Sequence, residues 1–496
     1  MNISNLLARN ATKYAQQEAV ICQGRRMSYS QLDAQVNALA YALQSHTIEK
    51  GDRIVLFLPN TVEFIISYFA SQRIGAIVVP VNAKFTQSEV NHVITDAGAK
   101  AMIVHELLFE HAKEVQCSLK ITTGSAKGDF YSFEQLIQSA SILPVYCKLT
   151  EDDLSTILYT SGTTGKPKGV LFTNRNILTV AQMMAVEMEF KPESRVLLMM
   201  PLTHSAPLHL FLITAVLVGA TNVLTPNFTP DLLLEMVETE RVTHFFGAPV
   251  AYLLTAQHPQ LAEKDLSSMK WWVYGGAPLS QAEVKYVQQA FKTNHLTAVY
   301  GLTEAGPSGS LLFAHEHEKK AGSIGKRAPL NTEIRIVNEQ GEDVAVGEVG
   351  EIILYGEGNM VGYYNNDEAT KAAFLGEGVR SGDLARVDED GYMWIVDRKK
   401  DVIISGGVNI YPKEIEEAIL QYASIFEVAV IGVPHPEWGE TVKAVYAAKE
   451  QIDVGVLRQF LSENLANFKI PRLYEQVDAL PRNLSGKILK QVLKEG

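Results

Sequence analysis

The sequence between positions 159 and 169 reads Tyr159-Thr160-Ser161-Gly162-Thr163-Thr164-Gly165-Lys166-Pro167-Lys168-Gly169. Its glycines let backbone amides approach an anion closely, its hydroxyls add donors, and its two lysines add positive charge. It is not a Walker A loop, because Gly162 and Gly165 stand too close together and Pro167 replaces the required Ser or Thr. A polar surface turn is the plainer interpretation. The succession of six Ser, Thr or Gly residues before Lys-Pro-Lys-Gly favours a phosphate-binding loop instead.

The size and composition of the chain are those of a globular protein with more than one domain. Its 496 residues exceed what one hydrophobic core usually organises, and 47% of them are hydrophobic. The formal net charge of −12 argues against broad nucleic-acid binding, because no general basic surface is available for phosphates. Small anionic substrates are not excluded, since local basic loops can bind them.

The cysteines and the apolar segments indicate the compartment. Cys22, Cys117 and Cys147 lie far apart, are odd in number and lack metal-ligand spacing, so we expect neither disulfides nor a zinc site. The N-terminal stretch has no charged segment followed by an apolar run, and the most apolar stretch, residues 210–220, is too short to span a bilayer. We therefore expect a cytoplasmic protein without a transmembrane segment. Composition excludes neither peripheral membrane contact nor a homodimer.

The first hundred residues alternate between helical and strand-like patterns. One helix face is predicted by apolar residues three and four positions apart, namely Leu32, Val36, Leu39 and Leu43. Continuous apolar runs at residues 54–58 and 76–81 are typical of strands buried on both faces, and a helical stretch that closes at Gly75 separates them. This alternation predicts an α/β fold with a largely parallel sheet.

The last hundred residues predict a separate, small α+β domain. Pro412 begins a helix with acidic residues in its first turns, and residues 426–433 are strand-like. A second amphipathic helix is marked by Leu457, Phe460, Leu461 and Leu465. The highly charged stretch 397–401 precedes this region. We therefore predict two domains, residues 1–399 and 400–496.

Several stretches together resemble the adenylate-forming superfamily, which comprises acyl-CoA synthetases, peptide-synthetase adenylation domains and firefly-type luciferases. The 159–169 stretch is similar to its signature loop. Further similar stretches follow in the expected order: Gly275-Gly276-Ala277-Pro278-Leu279, Tyr300-Gly301-Leu302-Thr303-Glu304, Ser381-Gly382-Asp383, Asp397-Arg398-Lys399-Lys400-Asp401 and Pro481-Arg482-Asn483-Leu484-Ser485-Gly486-Lys487. The resemblance implies a large N-terminal domain that binds ATP and the acyl group, and a small mobile C-terminal lid domain.

The resemblance also implies how ATP and magnesium are bound. The β- and γ-phosphates are expected to contact the signature loop through Thr160, Ser161, Gly162, Thr163, Thr164, Gly165, Lys166 and Lys168. Thr303 is expected to donate to the α-phosphate, while Glu304 and Thr164 hold Mg²⁺, a hard cation that prefers oxygen ligands. The alternative for Glu304 is a solvated surface acid.

The nucleoside is expected to contact four stretches. Asp383 is the implied ribose anchor, because a carboxylate can accept hydrogen bonds from both sugar hydroxyls, and Arg398 would contact the same sugar. The adenine is expected beside Gly275, Gly276, Ala277 and Pro278, with Tyr300 and Gly301 completing the site. A turn aspartate and a helix-capping Gly-Pro pair are the simpler alternatives.

Two further residues are implied in the chemistry. Lys487 would reach the attacking carboxylate and the bridging oxygen as a mobile point charge; a surface lysine is the alternative. His204 lies in Pro201-Leu202-Thr203-His204-Ser205-Ala206-Pro207, which resembles a Pro-Leu-aromatic-His segment beside the acyl pocket. Thr203 replaces the usual aromatic, and Leu208 stands where some long-chain enzymes carry a gating tryptophan. This departure argues against a tryptophan-gated tunnel, and a buried core histidine is the alternative for His204.

The acyl acceptor implied by the resemblance is the thiol of coenzyme A. The stretch Ser405-Gly406-Gly407-Val408-Asn409-Ile410-Tyr411 resembles the glycine-bearing loop that lines the pantetheine channel, and its Gly406 and Gly407 are expected to contact CoA. Residues 430–440 are similar to the acyl-CoA ligase version of the family, and Lys400 is the implied hinge. We therefore expect an AMP-forming acyl-CoA ligase that uses ATP, Mg²⁺ and CoA. The alternatives are acyl transfer to a carrier-protein phosphopantetheine, a luciferase-type oxygenase and a non-catalytic nucleotide-binding protein.

The identity of the acid is the least determined point. The stretches expected to line the acyl pocket are residues 199–208, 245–249 and 301–310, which are mostly apolar or small and contain no cationic residue. Each buried methylene contributes about 0.8 kcal/mol, so a medium- or long-chain fatty acid is the leading expectation. Aryl acids, succinylbenzoate and bile-acid-like carboxylates are alternatives, and Phe245 or Phe246 could equally be core residues.

Overall fold

The computed structural model describes residues 2–160, 167–482 and 488–495. Its contacts divide the chain into two compact units, the first comprising Met1–Ile334 with Ile353–Arg380 and the second comprising Arg335–Ile352 with Ser381–Gly496. These units differ from the predicted domains 1–399 and 400–496, because residues before 400 are tied to the second unit. The backbone amide of Lys413, for example, donates to Asp397 Oδ2 at 2.8 Å. A functional boundary at residue 400 stays a prediction.

The strands of the described residues are, in chain order, β1 (Glu18–Cys22), β2 (Arg25–Ser28), β3 (Arg53–Phe57), β4 (Ile77–Pro80), β5 (Ala101–Val104), β6 (Leu119–Thr122), β7 (Tyr131–Ser132), β8 (Leu154–Thr160), β9 (Lys168–Thr173), β10 (Arg195–Leu198), β11 (Thr221–Leu224), β12 (His244–Gly247), β13 (Trp271–Gly275), β14 (Leu296–Gly301), β15 (Gly309–Leu312), β16 (Thr332–Val337), β17 (Val349–Gly356), β18 (Gly362–Tyr363), β19 (Phe374–Leu375), β20 (Gly378–Val387), β21 (Met393–Arg398), β22 (Ile403–Ser405), β23 (Val408–Ile410), β24 (Ile425–His435), β25 (Gly439–Ala448) and β26 (Leu473–Gln476).

The α-helices are α1 (Ile3–Lys13), α2 (Tyr29–Ser45), α3 (Val62–Arg73), α4 (Gln87–Ala97), α5 (Phe133–Ser139), α6 (Asn174–Glu187), α7 (Thr214–Val218), α8 (Pro230–Thr239), α9 (Pro249–Ala256), α10 (Gln281–Phe291), α11 (His317–Lys320), α12 (Asp367–Ala373), α13 (Pro412–Leu420), α14 (Val454–Ser462) and α15 (Lys490–Glu495). A π-helical segment, Ala206–Ile213, leads directly into α7. Short 3-10 turns occur at Glu106–His111, Leu261–Glu263, Thr303–Ala305, Ala314–Glu316, Lys399–Asp401 and Asn467–Lys469.

The first unit contains two eight-stranded sheets. One has the order β15-β14-β13-β12-β10-β11-β1-β2 and the other the order β18-β9-β8-β4-β3-β5-β6-β7. In both sheets the central strands pair in parallel, and antiparallel pairs occur towards the edges, as between β14 and β15. The prediction of an α/β fold with parallel sheets is confirmed.

Local sequence explains the elements that were predicted. The Oγ of Ser28 accepts from the amide of Gln31, whose side chain accepts from the Ser28 amide in return, so a capping box begins α2. The predicted apolar face of this helix is buried, with Leu32, Val36, Leu39 and Leu43 at 1% exposure or less. The predicted strands at residues 54–58 and 76–81 correspond to the buried strands β3 and β4.

The second unit has its own core in its C-terminal part. Pro412 is the first residue of α13, where its missing N–H costs nothing, and Ile415 and Ile419 are fully buried. This helix packs with α14 on the sheet β23-β22-β25-β24, in which β24 and β25 form a long antiparallel pair. The predicted small α+β pattern is confirmed. None of the helices in the described ranges has the length and apolar character needed to cross a bilayer.

Candidate functional site

Four neighbouring parallel strands of the sheet β15-β14-β13-β12-β10-β11-β1-β2 have their carboxyl ends on the same side, which we call the sheet edge. They are β10, β12, β13 and β14, and their register pairs Gly247 with Tyr274 and Gly275 with Val299. Gly275 and Tyr300 lie in the last two residues of β13 and β14, and the segments that follow the strand ends carry His204, residues 276–278 and Thr303. In open α/β sheets, ligands bind outside the carboxyl ends of the strands. The fold therefore collects predicted residues from several distant stretches at one edge.

Thr303 and His204 belong to segments that are in direct contact. Thr303 begins a 3-10 turn, and its Oγ1 lies 3.1 Å from the Oγ of Ser205, the residue after His204. Ser205 was not predicted as a site residue. The hydrogen bond joins the segment expected beside the acid to the threonine expected at the α-phosphate.

The turn after β14 depends on close backbone approach at two glycines. A Cβ at Gly301 would lie 2.1 Å from the carbonyl oxygen of Pro307, and one at Gly306 would lie 2.2 Å from that of Gly358. Gly306 also has a φ of +86°, which side-chain-bearing residues rarely adopt. No other residue type fits these positions without movement of the backbone.

Glu304 is held by a residue that the sequence did not single out. The hydroxyl of Tyr363 donates to Glu304 Oε1 at 2.9 Å, and the amide of Met360 donates to the Glu304 carbonyl at 2.8 Å. The Nζ of Lys168 lies 5.1 Å from the centroid of the Tyr363 ring. Burial, followed by the neighbouring Glu304 charge, raises the pKa of Tyr363, so its hydroxyl remains a donor at working pH.

The signature stretch joins two antiparallel strands. Thr160 at the end of β8 pairs with Lys168 at the start of β9, and Tyr159 pairs with Gly169. The hydroxyl of Tyr159 donates to Asp96 Oδ2 at 2.5 Å, which anchors this end of the hairpin. The predicted residues Ser161, Gly162, Thr163, Thr164, Gly165, Lys166 and Lys487 lie outside the described residues, and their roles stay predictions.

Asn60, just after β3, holds the segment that leads to His204. Its side-chain amide donates to the carbonyls of Leu198 and Met200 at 3.1 and 2.9 Å, and its Oδ1 accepts from the amide of Leu202 at 2.9 Å. The sequence signal available for Asn60 was its position shortly after a buried strand and directly after a proline. These bonds fix the path of the chain between β10 and His204.

The histidines of this region differ in environment. The side chain of His204 reaches solvent but has protein around most of it, and this desolvation lowers its pKa. It is therefore not a core histidine. His209, by contrast, is fully buried with its ring edge-on to Phe172, and burial lowers its pKa to about 3. Leu208 is also fully buried.

The Gly-Gly-Ala-Pro stretch does not cap a helix. Gly276, Ala277 and Pro278 are exposed, and the cap of α10 is Ser280, whose Oγ accepts from the amide of Glu283 at 3.2 Å. The nearby Phe246 is half-buried and lies close to the position that a Cβ on Gly275 would occupy. Phe245 is a core residue, packed on Tyr252 and Trp272.

In the second unit, two predicted ribose contacts form an ion pair. The Nε of Arg398 lies 2.6 Å from Asp383 Oδ1, and the Asp383 carboxylate is nearly buried. Lys400 follows in a 3-10 turn, where burial, with help from the Arg398, Lys490 and Lys494 charges, lowers its pKa. Gly406 and Gly407 form an exposed turn between β22 and β23 with φ of +58° and +81°.

The described residues fit a site in which one carboxylate holds Mg²⁺ together with substrate phosphates and waters. No group of three or more His, Cys, Asp or Glu side chains that could hold a metal occurs among them. Glu304 offers a single carboxylate, of which only Oε1 accepts a hydrogen bond from a described residue. Mg²⁺ is commonly held by one or two carboxylates together with substrate phosphates and waters, which suits this arrangement.

Known proteins resemble this chain over nearly its whole length. It is 36% identical over 475 residues to a feruloyl-CoA synthase of Amycolatopsis, covering 94% of this chain and 93% of that protein. It is 34% identical over 499 residues to a long-chain-fatty-acid–CoA ligase of Mycobacterium tuberculosis, covering 100% and 98%. Among solved structures, the o-succinylbenzoate CoA synthetase of Bacillus subtilis with ATP and magnesium superposes with a TM-score of 0.86 at 28% identity, covering 99% of each chain.

Family models agree with these similarities. The model described as AMP-binding enzyme matches residues 7–364, and the model of the AMP-binding enzyme C-terminal domain matches residues 414–487. Together with the site at the sheet edge, these matches identify the chain as a member of the AMP-binding enzyme family, within the adenylate-forming superfamily, and as an AMP-forming acid–thiol ligase of the acyl-CoA synthetase class.

Proposed function

We propose that this ligase activates a monocarboxylic acid with an apolar body, with medium- or long-chain fatty acids as the preferred class. The observation that carries the proposal is the absence of any Lys or Arg from residues 199–208, 245–249 and 301–310. A second carboxylate on the substrate would be left without a cationic partner there. Each methylene removed from water contributes about 0.8 kcal/mol, which favours a long hydrocarbon.

An aryl acid is the second candidate, favoured by Phe246. Its half-buried ring packs on Phe211 with a centroid distance of 5.4 Å and lies at the same sheet edge as Gly275. Planar substrates gain from offset or tilted contacts with such a ring. The similarity to a feruloyl-CoA synthase supports this candidate as well.

The chemistry that we propose has two steps. In the first, a carboxylate oxygen of the acid attacks the α-phosphorus of ATP and pyrophosphate leaves. Thr303 donates to the α-phosphate. Thr160 and Lys168, at the two ends of the signature loop, stabilise charge on the departing phosphates. Glu304 holds Mg²⁺, which neutralises phosphate charge when bound. Lys487 is assigned to the attacking and bridging oxygens by resemblance alone.

In the second step, the sulfur of CoA forms a bond to the acyl carbon, the bond from that carbon to the phosphate oxygen breaks, and AMP leaves while the thiol proton is released to water. The exposed Gly406-Gly407 turn lacks side chains, which suits a narrow pantetheine arm. We assign the hinge between the two steps to Lys400. A cytoplasmic location follows from the composition as a prediction, and so does the lack of nucleic-acid binding.

The substrate class is tested with an acid panel in a pyrophosphate-release assay. Acids from acetate to oleate are compared with benzoate, ferulate and succinylbenzoate, and kcat/KM is measured for each. We expect the values to rise with chain length. A preference for acetate or an aromatic acid would contradict the fatty-acid assignment while leaving the ligase chemistry intact.

Phe246→Ala tests whether this side chain contacts the acid. We expect the ratio of kcat/KM for long-chain acids to kcat/KM for aromatic acids to change. This ratio does not depend on the fraction of folded enzyme. Phe245→Leu is the matched control, because Phe245 belongs to the core. It should leave the ratio unchanged.

The acyl acceptor is tested separately. Product formation should require free CoA and be absent with a phosphopantetheinylated carrier protein in its place. Transfer to the carrier protein without free CoA would contradict the ligase assignment. Tight ATP binding without pyrophosphate release for any acid would instead identify a non-catalytic nucleotide-binding protein.

A further inference from the structure

Tyr363 contacts Glu304 with its hydroxyl and Lys168 with the face of its ring. Its hydroxyl donates to Glu304 Oε1 at 2.9 Å, and the Nζ of Lys168 lies 5.1 Å from its ring centroid. Hydrogen bonds to an ionised acceptor are roughly twice as strong as neutral ones, and a cation over an aromatic face is attracted by the ring quadrupole. The ring therefore organises one negative and one positive group at once.

The backbone makes this arrangement stiff. Tyr363 lies in β18 and pairs with Val170 of β9, the strand that begins at Lys168. The Glu304 carbonyl accepts from the amide of Met360, so both ends of Glu304 are held by residues 360–363. Among the described residues, no donor reaches Glu304 Oε2, and this oxygen remains available to a hard cation.

We propose that Tyr363 is a positioning residue that orients the Glu304 carboxylate for Mg²⁺ and the Lys168 ammonium for the ATP phosphates. The proposal rests on the proposed function, since it assumes that Mg²⁺ and ATP bind at this edge of the sheet. In this proposal Tyr363 touches neither the acid nor the reacting phosphorus. It acts on the metal and the nucleotide only through Glu304 and Lys168.

Two variants separate the contributions of the hydroxyl and the ring. Tyr363→Phe removes only the hydrogen bond to Glu304, while Tyr363→Leu also removes the ring under Lys168. Tyr364→Phe is the matched control, since the hydroxyl of this neighbouring tyrosine lies 3.4 Å from the Ala97 carbonyl, away from Glu304. Equilibrium urea unfolding of each variant measures any general loss of stability.

The measurement is equilibrium binding to the purified full chain. Mn²⁺ replaces Mg²⁺ as an EPR-visible probe, and its affinity for the enzyme–ATP complex is determined by titration. ATP affinity is measured separately in EDTA. We expect Tyr363→Phe to weaken Mn²⁺ binding by about three- to tenfold and to leave metal-free ATP binding unchanged. Tyr363→Leu should weaken both.

A double-mutant cycle makes the test independent of overall folding effects. In a Glu304→Gln background, Tyr363→Phe should cause no further loss of Mn²⁺ affinity, because its partner charge is gone. Mn²⁺ affinity of Tyr363→Phe equal to that of Tyr364→Phe would overturn the proposal. Equal losses in the wild-type and Glu304→Gln backgrounds would overturn it too. If the unaltered enzyme bound neither ATP nor Mn²⁺–ATP, the proposed function itself would fail instead.

Discussion

The Nε of Arg398 lies 2.6 Å from Oδ1 of Asp383, and these two residues face each other across β20 and β21 as register partners. The family resemblance predicted that both residues contact the same ribose, and that contact stays a prediction. Their pairing follows from the antiparallel register, which places position 383 opposite position 398. Because the guanidinium engages Oδ1 through Nε, the ion pair holds the Asp383 carboxylate in one orientation.

Asp383→Asn is predicted to weaken ATP binding selectively. An amide cannot accept from two hydroxyls as an ionised carboxylate does, and a hydrogen bond to a charged group contributes about 1.5–3 kcal/mol. We expect KM for ATP to rise about tenfold or more, with KM for the acid unchanged. Asp390→Asn, in an exposed turn nearby, is the control. Equal increases for both substrates would argue against a ribose contact.

Asn60→Ala is predicted to destabilise the first unit and to impair binding of the acid. Three backbone groups, at Leu198, Met200 and Leu202, would lose their side-chain partner in a buried place. We expect the free energy of unfolding to fall by about 2–4 kcal/mol, and KM for the acid to rise because the path to His204 loosens. Urea denaturation and steady-state kinetics measure these effects.

Asn82→Ala is the matched control for Asn60, since Asn82 bonds only locally, to the amide of Lys84. It should change the free energy of unfolding by less than about 1 kcal/mol. A loss as large as that of Asn60→Ala would show that the effect is not specific to the His204 segment.

Lys487→Ala is predicted to separate the two half-reactions. Acyl-AMP formation should be abolished, because the attacking carboxylate and the bridging oxygen lose their cation. Thioester formation from pre-made acyl-AMP and CoA should be largely retained. Single-turnover assays of each step measure the two outcomes. The assigned role would be refuted by equal loss in both.

Stability is predicted to fall in acid because of two buried histidines. His209 and His244 are at most 1% exposed, and burial lowers their pKa to about 3 and about 4. In the unfolded chain they take up protons near pH 6.5, so lowering the pH from there to about 4 favours unfolding. Each histidine should contribute a slope of about 1.4 kcal/mol per pH unit.

His209→Leu tests this linkage without adding a charge. It should make the free energy of unfolding less dependent on pH between about 6.5 and 4, whatever its effect at neutral pH. His295→Leu, at an exposed position, should leave the slope as it is. An unchanged slope in His209→Leu would mean that this histidine is protonated in the folded protein.

Local patterns in the sequence predicted much of this architecture, and the exceptions have a common cause. The buried faces of α2 and α13 follow from apolar spacing, which depends only on residues within one helix. Ser205 and Tyr363 were missed because their partners are 98 and 59 residues away along the chain. A lone Ser or Tyr has no local signature, and only the folded sheet edge brings these pairs within hydrogen-bond distance.

The number of residues in the π-helical segment Ala206–Ile213 determines where the residues before it lie relative to α7. A π-turn holds about one residue more than an α-turn, so the segment is equivalent to an insertion in a longer α-helix. If the same number of residues wound as an α-helix throughout, the extra residue would rotate everything before it by about 100° relative to α7. Ser205 would then turn away from Thr303, although no side chain of the pair had been altered.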